Sequence, residues 1–167
     1  MNPMTMPHPA AQRFELLSHW HLDAPVAAVW QALSEPQSWP QWWPYARRVE
    51  LRRAGDAQGL GAVRRFVWVS RFRYAMEIDV EIVELVPQRR LRGRVDGQLQ
   101  GEGLWELQPV GDTTRVDYTW RVDVTRPWMR WLAPLLAPVF AWSHESVMRA
   151  GERGLAQRLG VRRIAPR

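Results

Sequence analysis

Between residues 76 and 124 the side chains alternate so regularly that the segment reads as a sheet with one dry face. One set holds Met76, Ile78, Val80 and Ile82, then Leu91, Gly93 and Val95, then Leu99, Gly101, Gly103, Trp105 and Leu107, then Val116, Tyr118, Trp120, Val122 and Val124. The intervening set is ionic: Glu77, Asp79 and Glu81, then Arg90, Arg92 and Arg94, then Glu102 and Glu106, then Arg115, Asp117, Arg121 and Asp123. Successive side chains of a strand point to opposite faces, so a period of two assigns each residue a side. A sheet apolar on one face and charged on the other must bury the apolar face under a second layer.

From Arg47 on, turn residues divide the chain into strands near 47–53, 61–70, 72–85, 89–96, 99–108 and 113–124, the pattern of an antiparallel meander. Phe14 to Leu22 alternates in the same way and brings the expected strands to seven. After it, Asp23 is expected to cap a helix with Pro25 in its first turn and Val26, Val29, Trp30 and Leu33 as its buried stripe. The run Glu35 to Pro44 holds three prolines together with Trp39, Trp42 and Trp43, which predicts a short helical turn forming a rigid aromatic lid or corner. Turn lengths also predict register. A turn over 96–98 sets Arg92 opposite Glu102, and one over 109–112 sets Glu106 opposite Arg115.

The layer that covers the dry face is the last long segment. Thr125 reads as a helix cap and Pro127 as a first-turn residue. From there Trp128, Leu132, Leu135, Val139, Phe140, Val147, Met148, Gly151, Leu155 and Leu159 recur at spacings of three and four, up to a stop at Gly160. Pro134 and Pro138 each remove a helical hydrogen bond, which predicts a kink or break between them. The apolar run from Trp131 to Trp142 falls short of the roughly 20 residues that a membrane span needs.

A chain of 167 residues suits one domain, expected over 13–160 with a disordered leader at 1–12 and a basic tail at 161–167. There is no Cys, so thiol nucleophiles and cysteine metal sites are excluded, and with no secretory pattern in Met1 to Gln12 a cytoplasmic location is expected. There is no Lys either, which excludes Schiff-base chemistry and pyridoxal enzymes. The net charge of +6 comes from arginines scattered in pairs such as Arg47/Arg48 and Arg64/Arg65, which reads as solvated surface rather than a nucleic-acid site.

No phosphate-binding loop, nucleophile elbow or dinucleotide fingerprint is present, since Gly101 and Gly103 fall inside a strand, and no cofactor is expected. His19 and His21 share a strand face without an evident third ligand, so no metal site is expected. Gly93, Gly101 and Gly103 leave missing side chains on the dry face beside Trp105, Tyr118 and Trp120. The space is closed either by the helix packing against them or by a ligand. Met76, Ile78, Phe140 and Val147 complete the expected walls. His144, on the long helix, and Tyr118 are the candidate proton carriers, with a hydrogen-bonded structural histidine as the plainer reading.

The element order resembles the START-related helix-grip superfamily, also called SRPBCC. Within it, the sequences Ala-Pro-Val-Ala-Ala-Val-Trp at 24–30, Trp-Pro-Gln-Trp-Trp-Pro at 39–44 and Gly-x-Gly-x-Trp at 101–105 are similar to the polyketide cyclase/dehydrase and lipid-transport branch. The resemblance implies an α+β helix-grip fold: a seven-stranded antiparallel curved sheet wrapped around a long C-terminal helix, with two short helices between strands 1 and 2. It also implies an apolar tunnel for a lipid, polyketide, sterol or quinone-type ligand. Carrier and cyclase/dehydratase remain alternatives, because a fold of this kind does not specify a reaction. A third reading places the Trp-rich helix and the arginines in transient contact with an anionic membrane surface.

Overall fold

The computed structural model describes residues 13–69, 74–124 and 127–165, and for 124 and 127–136 the backbone alone. Strand β1 (Arg13–Leu22) is followed by helix α1 (Val26–Ser34), a 3-10 turn (Pro36–Ser38) and helix α2 (Trp39–Trp42). Strands β2 (Ala46–Arg53), β3 (Val63–Val69), β4 (Ala75–Val86), β5 (Arg90–Gly97), β6 (Leu99–Val110) and β7 (Thr113–Val124) then lead to helix α3 (Pro127–Leu159). The strands form a single antiparallel sheet in the order β1-β7-β6-β5-β4-β3-β2. Only the β1–β2 connection leaves its neighbour: it runs from one sheet edge to the other and carries α1 and α2. This is the α+β helix-grip architecture, with two short helices between the first two strands.

The alternation places the faces correctly. Leu91 pairs with Trp105, Trp105 with Tyr118 and Gly103 with Trp120, all on the dry side. The charged sets meet on the other side, where Arg65 donates two hydrogen bonds of 2.8 Å to Asp79. Arg92 bridges Glu84 and Glu102, and Arg121 bridges Glu102 and Glu15. Such half-exposed pairs contribute about 0–1 kcal/mol each, so they fix register more than they add strength.

Four expectations need correction. Arg92 faces Leu104 while Arg94 faces Glu102, and Glu106 faces Asp117 rather than Arg115. The β5–β6 turn is centred on Gln98 and the β6–β7 turn is the pair Gly111-Asp112, so each turn centre lies one residue beyond the expected point and each pairing moves by two. Asp23 does not cap α1. The helix begins after Pro25, whose carbonyl accepts from Ala28 and Val29, and the Asp23 backbone N–H donates to the Arg162 carbonyl instead. Helix α3 continues through Pro134 and Pro138, so the break expected as one alternative there is absent. Each proline removes one hydrogen bond, and the ladder of a 33-residue helix carries the chain past both. Thr125, the expected cap, and residues 1–12 lie outside the described residues.

The filled core lies at one end of the grip. There Trp39, Trp42 and Trp43 are buried with Trp20, Leu22, Val29, Leu33, Met148 and Leu155. The aromatic run is packed into the core, with all three tryptophans buried. Trp43 is 1% exposed and its indole N–H donates to the Val147 carbonyl of α3 at 2.8 Å. The segment after α3 returns to the sheet: Arg163 bridges to Leu22, and the Ile164 N–H donates to the His21 carbonyl. No helix among the described residues is long and apolar enough to cross a membrane.

Candidate functional site

The other half of the grip is hollow. A cavity of about 680 Å³ lies between the dry face of the sheet and the middle of α3. The helix presents Val139, Phe140, Ser143, His144, Val147 and Met148 to it, residues three and four apart that share one helical face. The sheet presents the inward set of each strand: Phe14 and Leu16 from β1, Phe66 and Trp68 from β3, Met76 and Ile78 from β4, Gly93 from β5, Gly103 and Trp105 from β6, Tyr118 and Trp120 from β7. Trp39 and Trp43 close it toward the core.

Of the expected ligand-binding residues, Trp105, Tyr118, Trp120, Gly103, Gly93, Phe140, Val147, Met76 and Ile78 line this space, and Gly101 does not. Gly101 has φ +151°, and a Cβ there would sit 2.0 Å from the Arg121 carbonyl oxygen, so its glycine serves a close approach between β6 and β7. Gly103 is different again. Its missing side chain is covered neither by the helix nor by open space: a Cβ would meet the Tyr118 Oη at 2.7 Å and Trp120 Cε3 at 3.1 Å. The helix makes its close approach elsewhere, through its own Gly151 and Gly154 against Trp43 and Trp42.

Tyr118 is the centre of the aromatic wall. Its ring stacks on Trp105 at 4.0 Å between centroids, lies 5.9 Å from Trp120 and faces His144 at 6.2 Å with planes 14° apart. Burial pushes the Tyr118 phenol well above its ordinary range, so it stays protonated and can act as a hydrogen-bond donor. Burial pushes the His144 imidazole down to about 4, so it is neutral near pH 7. Its Nε2 lies 3.4 Å from the Ser18 hydroxyl across the β1–α3 interface. A neutral imidazole and a phenol on one apolar cavity, with the Ser18 hydroxyl against the imidazole, can position a proton, and no carboxylate lines that space to drive a transfer.

The His144 shift carries a stability consequence. With a folded-state pKa near 4 against 6.5 in the unfolded chain, the unfolded state takes up the proton first. The stability associated with neutral His144 is therefore complete above about pH 6.5 and is lost as the pH falls toward about 4, by at most about 3 kcal/mol. Urea midpoints at about pH 7 and about pH 4.5 should fall further apart in the wild type than in His144→Phe. Equal differences would show that His144 is not the group responsible.

The two other candidate ligands separate. His19 Nδ1 lies 2.6 Å from Asp117 Oδ1, and His21 Nε2 lies 2.9 Å from Thr113 Oγ1. Among the described residues no three His, Asp or Glu side chains come together in a metal-binding group. One inward residue escaped the sequence reading. Arg64 belongs to the β3 set of Phe66 and Trp68, pairs with Val80, and lines the cavity. A lone charge in a set that is otherwise aromatic was the available signal, but it was hidden by the neighbouring Arg65, which points outward to Asp79.

The family model for polyketide cyclase / dehydrase and lipid transport matches residues 15–160. The chain belongs to this family. Solved structures agree on the fold at low identity. Protein TTHA0849 from Thermus thermophilus is 21% identical, with 87% of this chain and 99% of that one covered at a TM-score of 0.71. The Zhui aromatase/cyclase from Streptomyces sp. R1128 is 15% identical, with 89% and 96% covered at 0.67. A START superfamily protein from Mycobacterium smegmatis is 14% identical, with 79% and 94% covered at 0.61. A comparison with curated proteins gives no match. Membership in the cyclase/dehydrase and lipid-transport family brings the fold and the breadth of its description, which joins enzymes and carriers. The chemistry of this member has to be read from its cavity.

Proposed function

We propose that the protein binds or carries a hydrophobic small molecule, of lipid, polyketide, sterol or quinone type, between the sheet and α3. The observation that carries this is the cavity itself. At about 680 Å³ it falls within the usual range for small-ligand sites, roughly 300–1,000 Å³, and its walls are aliphatic and aromatic with few polar groups. Interiors without such a purpose are filled to crystal-like density. Native mass spectrometry of freshly purified protein should show an adduct that solvent extraction removes, and the extracted protein should then take up the apolar dye N-phenyl-1-naphthylamine. Absence of both an adduct and dye uptake would sink this reading.

The second reading, a cyclase/dehydratase, is favoured by one observation: His144 is neutral and faces the protonated Tyr118 across the cavity. Here the cavity would fold a reactive chain while these two groups move protons. His144→Ala separates the readings. A carrier keeps its ligand affinity within a few-fold, whereas an enzyme loses about 10²-fold or more of its turnover.

A further inference from the structure

The cavity contains a cation with no counter-ion. Arg64 lines it from β3, and its Nε is buried without a hydrogen-bond partner. Burial also lowers the guanidinium pKa from its ordinary value, with no nearby acid acting in the opposite direction. All 17 acidic residues of the chain fall within the described segments, and none lines the cavity. The outward neighbours Arg65, Arg90 and Arg121 each hold a carboxylate, so Arg64 is set apart by where its strand face points. Arg64 is partly buried, a charge desolvated without a partner costs stability, and a guanidinium with an unpaired Nε–H is suited to a planar oxyanion that can accept from it.

We propose that the cavity takes an amphipathic ligand whose anionic head, a carboxylate or another oxyanion, seats on the Arg64 guanidinium while its apolar body runs toward the Trp105 and Tyr118 wall. This rests on the cavity-binding reading above and adds a head-group class to it. The sheet supplies the direction. Strands β3 and β7 are separated by β4, β5 and β6, four ladder steps or roughly 19 Å across the curved sheet, and the ladder row of Arg64 reaches β7 at Val122, four residues along the strand from Tyr118. A ligand that touches both is elongated, acidic at one end and apolar or weakly polar at the other.

The test uses N-phenyl-1-naphthylamine bound to the full chain and measures its displacement by dodecanoate, dodecyl phosphate and dodecan-1-ol, which share a tail and differ in head. One or both anions should displace the dye at concentrations about tenfold or more below the alcohol, the scale of a charge-assisted hydrogen bond in a water-poor site. The anion that wins distinguishes a carboxylic acid from a phosphate monoester as the class of head group. Arg64→Met should abolish the preference, read as the ratio of anion to alcohol displacement within the same protein, and Arg64→Lys should keep part of it. Equal displacement by anions and alcohol in the wild type would overturn the proposal even if the Met variant failed to fold, as would a preference that survives in a folded Arg64→Met protein. Dye binding that persists without an anion preference would leave the cavity reading standing and remove only the head group. Failure of the wild type to bind dye at all would bring down both.

Discussion

Trp43→Ala should lower the melting temperature by roughly 6–20 °C, the consequence of about 3–5 kcal/mol lost from the core of a domain this size. The indole is 1% exposed and stands among five others. Its ring centroid lies 5.5 Å from that of Trp20, 5.1 Å from Trp39, 5.4 Å from Trp42, 5.0 Å from Trp68 and 6.2 Å from Trp105. Truncation leaves a space too irregular for these rigid rings to refill, and it removes the N–H that ties α2 to the Val147 carbonyl. Trp43 also lines the cavity, so the loss should enlarge the ligand space and weaken dye binding as the core loosens. Trp43→Phe should recover most of the packing and lack only the hydrogen bond, at a cost nearer 1 kcal/mol plus the smaller ring. A Trp43→Ala protein that melts within two or three degrees of the wild type would mean that the corner does not hold the grip closed.

Gly154→Ala should destabilise by about 3 kcal/mol or more, although helix propensity alone predicts a gain of about 0.5–1 kcal/mol. An added Cβ would lie 1.7 Å from the Trp42 carbonyl oxygen and 2.8 Å from its carbon. Those are backbone atoms of α2 and cannot rotate aside, so α3 and α2 must separate. Gly151 repeats the contact one turn earlier, where a Cβ would meet Trp43 Cε2 at 2.4 Å. The expected fall in melting temperature is roughly 6–12 °C or more. Arg149→Ala, on an exposed position of the same helix, should change it by no more than a degree or two. A Gly154→Ala protein as stable as the wild type, or more so, would refute the backbone contact and leave propensity as the deciding effect.

Membership in the family and the helix-grip architecture were legible without coordinates, because period-two alternation, turn chemistry and a long terminal helix each act through residues near in sequence. The faces of β4 to β7 could be assigned from Met76 to Val124 even though two turns were centred one residue short. A displacement of one in a turn centre shifts cross-strand pairing by two, and two is the side-chain period, so the partners of Arg92 and Glu106 changed while their faces did not.

Much of the candidate site was also present in outline. Tyr118, Trp105, Trp120 and His144 lie on one cavity, since parity and helical spacing already directed them inward. The roles of the glycines were not accessible in that way. Gly103 is covered by the Tyr118 hydroxyl and the Trp120 ring, Gly101 lets the β6 and β7 backbones meet, and Gly154 receives the Trp42 carbonyl. Each depends on an atom that approaches from another element, and no local pattern encodes that distance. The same holds for Arg64. The sequence by itself determined the sheet, its dry and charged faces, and the helix that must cover it, because those follow from periodicity and the cost of exposing apolar surface. Only the tertiary structure decided that α3 rests on the tryptophan corner and on the β1 edge while leaving a cavity over the rest of the sheet, lined by one unpaired guanidinium, because clearance between layers is set by which side chains meet across them.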